Sequence, residues 1–163
     1  MNVARQRVVI TGMGTVSAFG VGADALWAGL SEGRSAIAAL RHPRAAELKV
    51  AVAAQLPDTF QPEAHFSREL LPQLDRVSQL ALLAADEAVR QSGIDFSQDA
   101  TAERSGCIIG TGVGGEMTQD EQYRRLYMEN AQRLHPLTII RAMTNAAASQ
   151  ISMRYGLHGP SFV

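Results

Sequence analysis

The run "RVVITG" at residues 7–12 constrains this chain more than any other feature. Its β-branched side chains follow one another without the polar alternation of a strand that is wet on one face. Such a strand needs cover on both faces, which calls for helices above and below a sheet. A second strand, "SGCIIG" at residues 105–110, opens on another glycine-rich loop. Between them apolar residues recur at spacings of three and four. Val77, Leu80, Ala81, Ala84 and Ala88 form one stripe of a helix that Asp75 can cap and Gly93 can stop. Strands alternating with helices predict a layered α/β fold.

Smaller elements fit between these. Asp24 is placed to cap a short helix carrying Leu26, Trp27 and Leu30, with Gly33 closing it. A strand is expected at residues 49–55, with Pro57, Pro62 and Pro72 as punctuation. A polar helix should run over residues 116–133, then a break at His135-Pro136, then a helix over 144–155. The middle of that last helix, "NAAAS" at 145–149, offers only small side chains and is expected to lie buried against a neighbouring backbone. No linker or repeat interrupts the 163 residues, so one domain is expected. The chain nevertheless ends on "GPSFV", a turn and half a strand, so the natural polypeptide is expected to be far longer or to be completed by a second fragment.

Bulk properties exclude several functions. With 15 basic and 16 acidic residues the net charge is −1, so no overall field draws in nucleic acid or an anionic membrane. No apolar run approaches the roughly 18 residues of a membrane span. One cysteine, Cys107, cannot form an internal disulfide and fits a reducing, cytoplasmic setting. It stands mid-strand with no flanking cation, which makes it a core thiol and not a nucleophile. The histidines at 42, 65, 135 and 158 are too scattered for a metal site. "GTGVGG" at 110–115 satisfies the dinucleotide pattern after a strand, but no second strand ending in an acidic residue follows about 20 residues on. No G-K-[ST] follows either glycine loop, which excludes a P-loop. No cofactor is implied.

Longer stretches carry a resemblance. "RVVITGMGTVSAFG" (7–20), "LWAGLSEGRSAI" (26–37), "LDRVSQLALLAADEAVRQSGI" (74–94), "RSGCIIGTGVGGEMTQDEQY" (104–123) and "TNAAASQISMRYGLHGPSFV" (144–163) resemble, in order and in register, the N-terminal portion of β-ketoacyl-acyl-carrier-protein synthases. These are elongating condensing enzymes of the thiolase fold.

That resemblance implies the N-terminal half of a thiolase-like layered αβαβα fold. It implies that residues 1–163 are the N-terminal part of a longer synthase, with the nucleophilic cysteine just past Val163 and two histidines further on. No catalytic residue then lies within these residues. By register Val113 falls where the family gates its acyl tunnel. Leu137, Thr138 and Ile139 fall where the family lines that tunnel, partly across a dimer interface. The implied partners are an acyl carrier protein, loaded with acyl or malonyl groups, and a second subunit in a homodimer or heterodimer.

Two departures stand out. The tunnel segment reads Leu137-Thr138 where the family usually has two bulky aromatics, which implies a roomier or more polar tunnel. "SRELLPQLDR" (67–76) holds only Arg68 and Arg76 where the family has a basic carrier-docking cluster, which implies a dedicated carrier. The alternative is a chain-length-factor type of partner subunit, which lacks the cysteine.

Overall fold

A computed structural model describes residues 7–163, and its centre is one long helix, α2 (Arg76–Ser92). The sequence signals for this helix are met at both ends. The Asp75 carboxylate accepts from the Val77 amide at 3.0 Å, and Gly93 leaves the helix at φ 65°. Before it come β1 (Val16–Ser17), β2 (Gly20–Val21), α1 (Ala23–Ser31), β3 (Ile37–Ala39) and β4 (Val52–Ala54). After it come α3 (Asp99–Ala102), β5 (Cys107–Ile108), α4 (Glu116–Tyr127), α5 (Thr138–Ala142), α6 (Ala146–Tyr155) and β6 (Ser161–Phe162). The strand expected at 49–55 forms as β4, antiparallel to β3 with Ile37 opposite Ala54.

The core lies between α2 and α6. Leu82 and Leu83 of α2 pack with Ala148 and Ile151 of α6, Cys107 of β5, and Phe66 and Leu74 from the segment before α2. The small stretch of α6 is buried as expected, with Ala146, Ala147 and Ala148 all inside. Strands β5 and β6 pair in parallel, Cys107 beside Ser161. They run so close that a Cβ at Gly106 would stand 2.1 Å from the Pro160 carbonyl oxygen.

Three expectations change. Residues 7–12 pair with no strand among the described residues, and Val8 and Ile10 are 95% and 83% exposed. Backbone at Gly12 and Gly14 instead crosses α2 so tightly that added Cβ atoms would sit 2.0 Å from the Ala88 and Ala84 carbonyl oxygens. The apolar residues 8–10 are themselves exposed, and close packing on α2 begins only at Gly12. Asp24 does not cap α1, whose N-cap position is Gly22 without a side-chain bond. Glu87 of α2 does that work from a distance, its carboxylate accepting from the Ala23 amide at 2.8 Å and the Thr15 amide at 2.9 Å. The polar helix stops at Tyr127, short of 133, because Asn130 takes φ 52° and turns the chain.

The close approach at α2 makes a prediction. Gly14→Ala in the full-length protein should cost about 1–3 kcal/mol by overpacking against backbone, read by chemical denaturation. Gly112→Ala, with nothing within 4 Å of its added methyl, should stay within about 0.5 kcal/mol. Equal effects would mean that the crossing at α2 is not close-packed.

Candidate functional site

The 110–115 loop meets the C-terminal end of α5 through Gly114 and Gly115. Strand β5 delivers the chain to this loop, and Ile109 N–H still donates to the Phe162 carbonyl at 3.1 Å. The loop's last two glycines serve contact with α5. A Cβ at Gly114, where φ is 99°, would approach the Thr144 Cα to 2.9 Å, and one at Gly115 the Arg141 carbonyl oxygen to 2.4 Å. The Gly115 amide donates to the Ala142 carbonyl at 3.3 Å. These glycines therefore answer to protein backbone, which accounts for the dinucleotide-like spacing without a phosphate. Gly110 and Gly112 have open space around them, and Val113 between them and Gly114 is half exposed.

Helix α5 begins at a turn built on His135. The His135 amide donates to the buried Gln122 Oε1 at 3.0 Å, its Nδ1 accepts from the Leu137 amide at 3.2 Å, and its carbonyl accepts from the Thr138 hydroxyl at 2.6 Å. Leu137 and Thr138 are partly buried there, while Ile139 is 72% exposed. A cavity of about 120 Å³ beside α5 and α6 takes Ile140 and Met143 from this stretch, together with Ser78, Ala146 and Met153. Leu137, Thr138 and Ile139 do not line it.

A larger cavity of about 530 Å³ lies where the 67–76 segment meets α4 and α5. Arg76, Arg124 and Arg141 line it, with Asp75, Asp120 and Glu121. Reading residues 67–76 as a line misses Arg124 and Arg141, which tertiary structure brings in from 48 and 65 positions after Arg76 (124 − 76 and 141 − 76). Arg141 is mostly buried, its Nη2 is 3.9 Å from the Glu121 carboxylate, and its Nε has no acceptor. In the exposed part of the 67–76 segment, the Glu69 carboxyl is held below its usual pKa by a backbone N–H and by the Ser67 hydroxyl. That side chain stays anionic in the middle of the segment.

Cys107 is buried among Ala148, Ile151 and Leu82, and burial pushes its thiol pKa up. This is the environment of an inert thiol.

With this geometry in view, the comparisons are specific. The family model "Beta-ketoacyl synthase, N-terminal domain" matches residues 5–163, and the chain belongs to that family. It is 39% identical over 157 residues to Nodulation protein E of Rhizobium meliloti, covering 96% of this chain and 38% of that protein. It is 31% identical over 156 residues to 3-oxoacyl-acyl-carrier-protein synthase 2 of Staphylococcus aureus, covering 96% of this chain and 37% of that one. Among solved structures, the ishigamide ketosynthase/chain length factor superposes with a TM-score of 0.78 at 23% identity, covering 98% of this chain and 40% of its own. The fold is thus the thiolase-like layered fold of ketosynthases, over its N-terminal part. The chain spans under two fifths of the length of the curated relatives named here.

The thiol environment predicts that Cys107 resists alkylation in the native full-length protein at pH 8, and reacts fully once denatured. Peptide mapping after iodoacetamide treatment checks this. Native labelling of Cys107 at the rate of a free thiol would contradict its assignment to the core.

Proposed function

We propose that these residues are the N-terminal part of a β-ketoacyl-acyl-carrier-protein synthase that elongates an acyl chain by decarboxylative Claisen condensation. A cysteine thiolate just past Val163 attacks an acyl-carrier thioester and expels the carrier thiol, leaving an acyl-enzyme. Malonyl-carrier then loses carbon dioxide, and its carbanion attacks the acyl carbonyl. The collapse of that adduct returns the cysteine thiolate and leaves 3-oxoacyl-carrier. The cysteine and the two histidines of this scheme lie beyond residue 163.

The part played by this segment is the acyl tunnel and the docking surface. Val113 gates the tunnel, and Leu137, Thr138 and Ile139 line it, in part from the second subunit of a homodimer or heterodimer. What supports this most is family membership combined with the tie between the 110–115 loop and α5, since Gly115 N–H bonds Ala142. Open apolar side chains fit the same reading. Val8, Ile10, Ile108, Ile139 and Phe162 are all exposed, and the remainder of the synthase with its second subunit supplies their cover. The setting is the cytoplasm, in line with an unpaired buried cysteine and with no described helix long and apolar enough to cross a membrane.

The direct test is reconstitution of the full-length protein with acyl-carrier and malonyl-carrier. Carbon dioxide and 3-oxoacyl-carrier should form in equal amounts. A protein that forms neither, and that has another residue in place of the cysteine, would be the chain-length-factor type of subunit instead. Val113→Phe should shorten the longest product while folding stays near normal. Unchanged product lengths with lower stability would make Val113 core.

Carrier choice follows from charge. In residues 67–76 the exposed Glu69 offsets Arg68, Asp75 is buried, and Arg76 is only partly exposed, so an acidic carrier is steered here less than by a full basic cluster. A dedicated carrier should be condensed faster than the general fatty-acid carrier. Glu69→Lys with Gln73→Arg should raise the on-rate for the fatty-acid carrier at low salt, and the gain should fade with ionic strength. Equal rates for both carriers with the unmodified protein would remove this argument.

A further inference from the structure

Asp75 and Thr118 form a buried pair that no catalytic step uses. Asp75 is 3% exposed and Thr118 1%. No basic side chain forms an ion pair with Asp75 among the described residues. Its carboxylate is met by hydrogen bonds instead: Val77 N–H at 3.0 Å on Oδ1, and Thr118 N–H at 2.8 Å with the Thr118 hydroxyl at 2.6 Å on Oδ2. Val77 is the second residue of α2 and Thr118 the third of α4. Both amides belong to the unbonded set at a helix start, and both helices present their positive end to this one carboxylate. A single anion therefore joins two helix N-termini, its second set of donors lying 43 residues on from Asp75.

Helix α4 has no local alternative. Its N-cap position is Gly115, which offers no side chain, and no cap bond is made there. The first turn of α4 is fixed from outside by Asp75, and from the loop side by Gly115 N–H on the Ala142 carbonyl. Upstream, Ile109 N–H on the Phe162 carbonyl is the last ladder bond. Between that bond and Gly114 the loop is held by little. A Cβ added at Gly110 or Gly112 would meet nothing within 4 Å, and Val113 is half exposed. The position of Val113 is thus set by where α4 begins.

We propose that the Asp75–Thr118 pair is the positioning device for the 110–115 loop, and that by fixing Val113 it sets the acyl lengths the protein accepts. The second half of this statement rests on the tunnel reading given above, whereas the first half does not. Asp75 also lies in the 67–76 segment, so the surface assigned to carrier docking and the loop assigned to gating share one buried carboxylate.

Thr118→Val tests it in the full-length protein, because it removes the hydroxyl and keeps the shape. Hydrogen exchange followed by mass spectrometry should show amides of residues 111–117 exchanging about tenfold faster, as loss of one charge-assisted bond implies. Amides in α6 and in the C-terminal half of α2 should be unchanged. Thr118→Ser should restore protection, and Asp75→Asn should reproduce the loss. In condensation assays, the ratio of kcat/KM for long over short acyl groups should shift several-fold in Thr118→Val and return in Thr118→Ser. Uniformly faster exchange everywhere, or no change in the loop, would overturn the positioning role. Faster loop exchange with an unchanged length ratio would overturn the link to specificity. If the unmodified protein condenses nothing, the proposed function fails, and exchange alone still decides the positioning role.

Discussion

Three segments, the start of α1 with the loop before it, the start of α4 and the end of α6, are tied to the acidic side chains of helix α2 or to its cap. Asp75 at its start receives α4 through Thr118. Glu87, three turns along, receives the backbone of Thr15 and of Ala23. Asp86 beside it holds the Tyr155 hydroxyl and, at 2.7 Å, the Arg154 guanidinium of α6. A burden of this sort falls on carboxylates for a physical reason. Amides at helix starts and in crossing loops lack partners, and a charged acceptor satisfies more than one of them with bonds stronger than neutral ones. The alanines on the same helix allow the approach that these bonds require, since Gly12 and Gly14 lie against the Ala88 and Ala84 carbonyls.

The apolar core and this polar frame divide the labour. Leu82, Leu83, Ala148 and Ile151 supply burial, which is indifferent to exact register. The carboxylate bonds set register, because a one-residue slip of α2 would carry Asp75, Asp86 and Glu87 away from their donors together. The 110–115 loop profits from that arrangement without being packed itself. It carries glycines at the points of contact with α5 and a half-exposed Val113 beyond them. A loop of this design suits a wall that must be placed accurately yet still admit a flexible chain.

Local signals in the sequence were good guides wherever the decisive partner is also local. Asp75 and Gly93 mark the ends of α2 because a cap and a left-handed stop act within two residues. Cys107 reads as core from its strand neighbours, and the structure buries it. Asp24 misleads for the converse reason. It is a fair local cap, but Glu87, 64 positions away, reaches the α1 amide first. The run at 7–12 demands cover, yet no local pattern says that residues 8–10 find little of it among the described residues. The joining of Thr118 to Asp75, and of Arg124 and Arg141 to Arg76, has no sequence period at all. The resemblance to condensing enzymes carried Val113 and 137–139 as positions, and the structure adds the His135 turn and the Gly115–Ala142 bond that organise them.

We infer that this segment is the scaffold of a synthase whose nucleophile is a cysteine just beyond Val163, with Cys107 an inert part of the core. Incubating the full-length protein with an acyl-carrier thioester and mapping the acylated peptide tests this most directly. One acyl group per subunit is expected, on a cysteine in the peptide that follows Val163, with Cys107 unmodified. Acylation at Cys107, or no acyl-enzyme although that following cysteine is present, would contradict it.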